Sequence, residues 1–318
     1  MRLIEAKKFG GPEVLQPHEA PDPLPGPGEV LIEVVAMDTL FVETWIRAGR
    51  AGEFFDITPP YVPGGGVAGT VTALGEGADP ALLGARVATF TENGYADRVV
   101  VPADTPLRVP DGLADLKDAA ALIHDGVTGM GVIEAAAVRP GEWVLIVGAT
   151  GGMGILLVQL ARAAGARVIA AARGERKLAL ARELGAEATV DYSEPGWAER
   201  ARAMTGGTGA QVVLDGVGDD IGNAAFQATA DGGRFSAHGA TTGGFADARA
   251  DRGIEVRGIQ DVQYDLDERR RLLGKALDEA AAGRLRPVIG QTFPLERAAD
   301  AHTAIESRTV IGKTLLLP

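Results

Sequence analysis

The chain has 318 residues, 46% hydrophobic and 23% charged, which suits about two domains of an ordinary globular protein. A net charge of −12, without a lysine- or arginine-rich run of the kind that forms a basic face, argues against non-specific binding to nucleic acid. The lack of cysteine excludes disulfides, thiolate nucleophiles and cysteine-ligated zinc, and it is compatible with a reducing, cytoplasmic location. We expect neither a signal peptide nor a membrane span, since no long apolar segment is present.

The first third of the chain is predicted to be rich in β-structure. Strands are expected over 3–8 and 29–35, and a helix over 38–49. Further short strands separated by glycine and proline turns are expected over 66–74, 86–90, 96–101 and 107–110. This pattern is typical of antiparallel, barrel-like β-structure. Two helices, over 119–123 and 129–137, mark a change of character.

From residue 143 onward, strands alternate with helices. The predicted strands are 143–147, 167–172, 188–190, 210–214, 233–237 and 255–259. Their spacing of about 20 residues predicts a doubly wound parallel sheet, the Rossmann arrangement. An amphipathic helix over 267–283 follows, and a last strand over 313–317 is expected to rejoin the first domain. The fold class is therefore α/β, with a Rossmann domain (121–261) inserted into a β-rich domain (1–120 and 262–318).

A glycine-rich turn follows the first of these strands. Glycines stand at 148, 151, 152 and 154, and a helix then continues to a left-handed cap at Gly165. A helix N-terminus behind a strand and a glycine turn is an anion site, since its free N–H groups and dipole face the turn. The pattern predicts a bound dinucleotide diphosphate, and a purely structural turn is the alternative.

The second strand ends in a cation where NAD-binding proteins carry a carboxylate. Arg173 occupies this position, and Lys177 lies one helical turn further on. Two cations favour the 2′-phosphate of NADPH, since each charge-assisted bond contributes about 1.5–3 kcal/mol. The alternative is a solvated helix start in which Glu175 neutralises the pair. Tyr192, after the third strand, contacts the adenosine end of the cofactor or simply packs.

The fourth and fifth strands also end in glycine-containing loops. Val217 follows the fourth strand, and His238 and Gly239 follow the fifth. Ligands bind at the carboxyl ends of parallel strands in this architecture. We therefore predict that these three residues contact the cofactor.

A set of segments spread over essentially the whole chain forms one pattern: residues 41–49, 60–69, 94–102, 148–154, 177, 191–192, 232–235, 287–295, 307–308 and 312–313. On these segments the chain resembles the zinc-independent quinone oxidoreductase branch of the medium-chain dehydrogenase/reductase superfamily, which includes zeta-crystallin. It implies a GroES-like catalytic domain, a Rossmann domain and the cofactor NADPH.

The resemblance also implies roles for single residues. It places Gly151, Gly152 and Met153 at the diphosphate, Lys177 and Tyr192 at the 2′-phosphate end, Thr128 and Gly239 beside the nicotinamide half, and Arg308 at the cofactor from the C-terminal segment. Zinc-containing relatives have cysteine near position 40 and a His-Glu pair near 65–66, where this chain has Leu40, Gly65 and Gly66. We therefore expect no metal.

Reduction of a quinone or an unsaturated carbonyl needs a proton as well as a hydride. The candidates for the catalytic group are His124, Asp125 and Thr128, and His238 is a further one. His124 and Asp125 could instead cap the helix and satisfy each other. Leu40 and Trp45 are predicted to line the substrate pocket, although Trp45 could belong to the core. Quinone reductases of this branch commonly have asparagine at the position of Leu40, so the substrate could differ.

Three functions stay open at this point. The first is an NADPH-dependent quinone reductase, the second an enoyl or alkenal double-bond reductase on the same fold, and the third a non-catalytic NADPH-binding protein. The partner is in each case a small molecule. The strand over 255–259 is predicted to lie at the sheet edge, where relatives form a homodimer.

Overall fold

The computed structural model describes residues 1–52, 55–249 and 251–318, which form two compact units. The first unit comprises Met1–His124, Leu277–Gly283 and Pro287–Pro318, and the second comprises Asp125–Ala276 and Arg284–Arg286. The domain boundaries predicted from the sequence, after residues 120 and 261, stay a prediction. Among the described residues, no helix combines the length and the apolar character needed to cross a bilayer.

Strands predominate in the first unit, whereas strands alternate with helices in the second. The strands are β1 (Arg2–Ala6), β2 (Leu15–Glu19), β3 (Glu29–Asp38), β4 (Gly66–Leu74), β5 (Arg86–Phe90), β6 (Arg98–Pro102), β7 (Leu107–Arg108), β8 (Trp143–Val147), β9 (Arg167–Ala172), β10 (Ala188–Asp191), β11 (Ala210–Asp215), β12 (Thr229–Ala237), β13 (Glu255–Gly258), β14 (Ile289–Pro294) and β15 (Lys313–Leu317). The helices are α1 (Phe41–Arg47), α2 (Leu116–Ala136), α3 (Gly152–Ala163), α4 (Glu175–Glu183), α5 (Trp197–Met204), α6 (Asp219–Gln227), α7 (Leu266–Ala281) and α8 (Ala298–Glu306).

The second unit is built on a parallel six-stranded sheet with the order β10-β9-β8-β11-β12-β13. This order confirms the predicted Rossmann sheet. All five residues of the central strand β8 are buried, and each buried Val, Leu or Ile side chain contributes about 1.5–3 kcal/mol. The connections leave β8 and β11 in opposite directions, so the ligand crevice of this architecture lies at their carboxyl ends.

The first unit contains a seven-stranded sheet with the order β14-β15-β3-β4-β5-β7, in which β6 pairs with β3. All pairs are antiparallel except β14 with β15. The pairing of β15 with β3 confirms that the last strand rejoins the β-rich part of the chain. Strands β1 and β2 form a separate antiparallel pair.

Two local predictions were wrong. The helices expected over 119–123 and 129–137 are one continuous helix, α2. Gly131 serves close packing rather than helix termination, because a Cβ atom at this position would collide with the hydroxyl group of Tyr264. Strand β3 also extends to Asp38, and α1 begins only at Phe41, so Asp38 belongs to a strand and not to a helix.

Candidate active site

The turn between β8 and α3 has the geometry of an anion-binding loop. Gly148 has a φ angle of +77°, in the left-handed region that favours glycine. Gly154 packs so closely against the carbonyl oxygen of Gly148 that a Cβ atom would collide with it. Gly151 is the N-cap of α3, and the following N–H groups, including those of Gly152 and Met153, have no acceptor within the helix. These groups can bind a phosphate.

The loop after β9 brings two cations together. Arg173 is exposed and Lys177, on α4, is half-buried. Burial and the charge of Arg173 both lower the pKa of Lys177, so the two cations repel each other. A phosphate dianion between them would relieve this repulsion. Glu175 pairs with Arg182, which disfavours the alternative in which it neutralises Arg173 and Lys177.

Asp191, at the end of β10, anchors this loop. Its Oδ2 atom accepts a 2.7 Å hydrogen bond from the backbone N–H of Gly174, and its Oδ1 atom accepts bonds of 2.8 Å and 2.5 Å from the backbone and hydroxyl of Ser193. Burial raises the pKa of Asp191, but these hydrogen bonds and the charge of Arg173 outweigh burial and hold it below its usual range. No role for this carboxylate was predicted from the sequence.

Tyr192 follows directly and is half-buried. Its ring meets that of Trp197 edge-on, with 6.4 Å between the ring centroids. Packing against Trp197 therefore covers part of the Tyr192 ring. A role for Tyr192 at the adenosine end of the cofactor stays a prediction.

A buried carboxylate shapes the loop after β11. The Oδ1 atom of Asp215 accepts hydrogen bonds from the backbone N–H groups of Val217 at 2.9 Å and Gly218 at 3.1 Å. Burial raises the pKa of Asp215 to about 6. Its Oδ2 atom has no hydrogen-bond partner in the part of the chain that the structure describes. Val217 itself is buried, and its backbone is held in place by this carboxylate.

The loop after β12 carries a buried imidazole. His238 is 5% exposed, and its Nδ1 atom lies 3.1 Å from the hydroxyl oxygen of Ser236. Burial lowers the pKa of His238 to about 4, so the ring is neutral at pH 7. Its Nε2 atom has no hydrogen-bond partner among the described residues. Gly239 packs against the backbone of Gly216 where a Cβ atom would collide, so the loops after β11 and β12 lie in direct contact.

In the first unit, His124 has a carboxylate partner that sequence analysis missed. Its Nδ1 atom lies 2.7 Å from Oδ2 of Asp38, the last residue of β3. The alternative in which His124 and Asp125 cap a helix is wrong, since both lie in the interior of α2. Thr128 is one turn further along α2 and half-buried. A lone carboxylate at the end of an apolar strand was the available signal for Asp38.

Two of the three positions that correspond to zinc ligands in relatives, Gly65 and Gly66, lie near this imidazole. A Cβ atom on Gly65 would lie 3.1 Å from Cε1 and Nε2 of His124, and one on Gly66 would lie 3.2 Å from Cε1. The imidazole therefore packs over two glycines that offer no ligand atom. Leu40 is half-buried, and its backbone N–H donates a 2.9 Å hydrogen bond to Glu43. No group of three or more potential ligand side chains could hold a metal within the described ranges.

The remaining predicted residues are Trp45, within α1, and Arg308, after α8. Trp45, on α1, is half-buried and meets Phe41 edge-on, with 6.0 Å between the ring centroids. It is therefore not a fully buried core residue. Arg308 follows α8, is exposed and has a φ angle of +56°.

A β-rich unit together with a Rossmann unit that carries a glycine turn and a cation pair defines a dinucleotide-dependent oxidoreductase of the medium-chain type. Two family models match the chain: the alcohol dehydrogenase GroES-like domain over residues 26–111 and the zinc-binding dehydrogenase domain over residues 152–259. Each model covers the part of the chain in which the corresponding fold was predicted.

Relatives that align over essentially the whole chain identify the family within this class. A 2-haloacrylate reductase from a Burkholderia species is 33% identical, with 98% of this chain and 97% of the relative aligned. The quinone oxidoreductase of Sus scrofa is 32% identical over 100% and 98% of the two chains. The crystal structure of Escherichia coli quinone oxidoreductase complexed with NADPH matches with a TM-score of 0.91 at 28% identity, covering 100% of both chains. The chain belongs to the quinone oxidoreductase family of the medium-chain dehydrogenase/reductase superfamily.

Proposed function

We propose that the chain is an NADPH-dependent, zinc-independent reductase that reduces a quinone in the cytoplasm. The observation that carries the proposal is the pair of mutually repelling cations, Arg173 and Lys177, at the end of β9, next to the glycine turn of β8 and α3. This arrangement fits a dinucleotide with an extra phosphate on the adenosine ribose. The quinone oxidoreductases among the relatives support the choice of acceptor.

NADPH supplies the hydride when it is bound. In the proposal, the diphosphate is held by the backbone of Gly151, Gly152 and Met153, the 2′-phosphate end by Arg173, Lys177 and Tyr192, the nicotinamide half by Thr128, Val217, His238 and Gly239, and a further contact comes from Arg308. A buried, neutral His238 with an unsatisfied Nε2 atom suits an uncharged polar group such as a carboxamide.

The protein must also provide a proton, since a quinone takes up one hydride and one proton to become a hydroquinone. His124 is the proposed donor, and Asp125 and Thr128 on the same helix are the proposed supporting polar groups. Leu40 and Trp45 line the acceptor pocket in this proposal, and their apolar surfaces suit a flat, apolar ring. No step requires a metal.

A second candidate is reduction of an electron-poor carbon–carbon double bond. The apolar Leu40 and the 33% identical 2-haloacrylate reductase favour it. Hydride addition to the β-carbon and proton addition to the α-carbon would use the same residues.

We also propose a homodimer. Strand β13 is an edge strand of the Rossmann sheet, and pairing across a two-fold axis would cover that edge.

The acceptor is tested by following NADPH oxidation at 340 nm with chelator-treated protein. A p-quinone, a 2-enal, 2-chloroacrylate and an enoyl thioester are compared by kcat/KM. We expect the quinone to be reduced at least tenfold more efficiently than the others. A higher value for an alkene would establish the second candidate. Absence of turnover with all four, despite NADPH binding, would identify a non-catalytic NADPH-binding protein.

A further inference from the structure

A buried ionic cluster surrounds the carboxylate of Asp38, which is 1% exposed. Its Oδ1 atom lies 2.5 Å from the Nζ atom of Lys313, at the start of β15, and its Oδ2 atom lies 2.7 Å from Nδ1 of His124. Asp38 and Lys313 are 275 residues apart in sequence, and the sheet brings them together through the pairing of β3 with β15. Removing two charges from water costs about as much free energy as their attraction gains, so a buried ion pair is weak evidence for a role in stability. The cluster therefore calls for another explanation.

The charges in this cluster balance without the imidazole. Burial raises the pKa of Asp38, but the charge of Lys313 and the hydrogen bond from His124 outweigh burial and hold it below its usual range. Lys313, whose side chain is 5% exposed, thus neutralises Asp38. The imidazole can therefore gain or lose a proton without leaving Asp38 as an uncompensated charge. The other acidic groups near the ring are Glu43, which hydrogen-bonds Tyr95, and Asp125, its neighbour on α2.

The surroundings of the ring leave only one nitrogen available to a ligand. Nδ1 is occupied by Asp38, while no hydrogen bond to Nε2 is formed within residues 1–52, 55–249 and 251–318. The ring of Phe90 meets the imidazole edge-on at 5.0 Å between centroids, and Gly65 and Gly66 lie beneath it. The side chain is 25% exposed. An accessible Nε2 on an otherwise fixed ring is the geometry of a proton donor or acceptor.

We propose that Asp38 and Lys313 are positioning residues that fix His124 in the tautomer with its proton on Nδ1, so that Nε2 exchanges a proton with the reduced acceptor. This inference rests on the proposed reductase function. The protonated ring transfers its Nε2 proton to the oxygen of the acceptor as the hydride arrives: the N–H bond breaks, an O–H bond forms, and the electron pair stays on Nε2. Asp38 stays ionised throughout, and water returns the proton to the neutral ring.

The tautomer is tested directly by 15N NMR of protein labelled at histidine. The chain has four histidines, at 18, 124, 238 and 302, and single His→Gln variants assign them. We expect neutral His124 to carry its proton on Nδ1. In Asp38→Asn, Lys313 attracts the amide oxygen, so the amide nitrogen faces His124 and the proton should move to Nε2. An unchanged tautomer in Asp38→Asn would overturn the proposal.

Two substitutions in the cluster distinguish positioning from general damage. Asp38→Asn removes the acceptor of the Nδ1 proton, whereas Lys313→Met keeps that carboxylate and removes only the cation beside it. The fraction of neutral His124 with its proton on Nδ1 should therefore fall less in Lys313→Met than in Asp38→Asn. An equal or larger change of tautomer in Lys313→Met would contradict the proposal. The exposed His18→Gln variant serves as the matched control and should leave the resonances of His124 unchanged.

Kinetics supply the link to the reaction. In Asp38→Asn, kcat with the best acceptor should fall at least tenfold while the KM for NADPH stays within about twofold. Added imidazole should partly restore kcat in the His124→Gly variant. Unchanged kcat in Asp38→Asn despite the tautomer change would overturn the positioning role. If no acceptor is reduced by the unmodified protein, the proposed function fails, while NMR still decides the tautomer.

Discussion

Gly154, in the first turn of α3, packs directly against the carbonyl oxygen of Gly148, and a Cβ atom at residue 154 would collide with that oxygen. The two glycines therefore fix the distance between the helix N-terminus and the turn that we propose binds the diphosphate. Gly154→Ala should lower the free energy of unfolding by about 1–3 kcal/mol, and it should weaken NADPH binding at least tenfold because the turn must shift. Urea unfolding and calorimetric titration measure the two effects.

Gly274→Ala provides the control. Gly274 lies in α7 with open space where a Cβ atom would be. This substitution should stabilise the protein by about 0.5–1 kcal/mol and leave NADPH affinity unchanged. If the two variants had the same free energy of unfolding and the same NADPH affinity, close packing at Gly154 would have no special role.

Arg173→Ala should raise the KM for NADPH about tenfold or more and leave that for NADH nearly unchanged, because only NADPH carries the 2′-phosphate. Arg176→Ala, an exposed arginine in the first turn of α4, should change neither value by more than about twofold. Initial rates with both cofactors give the comparison. A constant ratio of the two KM values in Arg173→Ala would place the 2′-phosphate elsewhere.

Much of the Rossmann unit could be predicted because its strands are short, apolar runs between glycine turns. The apolar run over 144–147 predicts strand β8, and Gly165, with a φ angle of +81°, predicts the end of α3. Both signals lie within the elements themselves. The continuity of α2 could not be predicted, since Gly131 is explained by a residue distant in sequence, Tyr264. Strand β14 and helix α8 were also missed, because they are specified mainly by packing against the first unit's sheet and β-pair.

His302 should make stability depend on pH. It is buried, with Nε2 3.0 Å from the hydroxyl of Tyr95, and burial together with the charge of Arg47 lowers its pKa to about 3. Between pH of about 6.5 and 3 the unfolded chain binds a proton here that the folded chain does not. This contribution to stability is therefore lost as pH falls, by up to about 1.4 kcal/mol per unit.

The variant His302→Gln isolates this effect. It should be destabilised at pH 7 by about 1–3 kcal/mol through the lost hydrogen bonds, and the difference from the unmodified protein should shrink steadily toward pH 4.5. The exposed His18→Gln should show no such trend. Urea unfolding at four pH values is the measurement, and a difference that stays constant with pH would refute the protonation argument.

Asp215 should make the stability of the protein change with pH in the direction opposite to that of His302. Its pKa of about 6 lies above the ordinary value, so the folded protein loses stability as pH rises through about 4 to 6 and the buried carboxylate becomes charged. Asp215→Asn keeps an acceptor for the N–H groups of Val217 and Gly218 but carries no charge. Its stability relative to the unmodified protein should therefore rise by about 2 kcal/mol between pH 4.5 and 7.

Thermal unfolding across this pH range tests the prediction, with the exposed Asp220→Asn on α6 as the control. A relative stability of Asp215→Asn that falls with increasing pH would contradict the assigned direction of the shift.

The candidate site could be predicted only where its residues are close in sequence. Arg173 and Lys177 are separated by one helical turn, and the glycines of the β8–α3 turn are adjacent. Asp38, by contrast, bonds residues at 124 and 313, and nothing local identifies these partners. The predicted helix over 38–49 also concealed the role of Asp38, because a carboxylate is common in the first turn of a helix. Besides the lone carboxylate at the end of β3, a lysine that opens the apolar strand β15 was an indication of a buried charge.

We propose that the chain binds NADPH through its 2′-phosphate and without a metal. Calorimetric titration of chelator-treated protein with NADPH and NADH at 0.1 M salt tests it most directly. We expect one NADPH per chain, bound at least tenfold more tightly than NADH. Equal affinities, or binding that requires added zinc, would contradict the account.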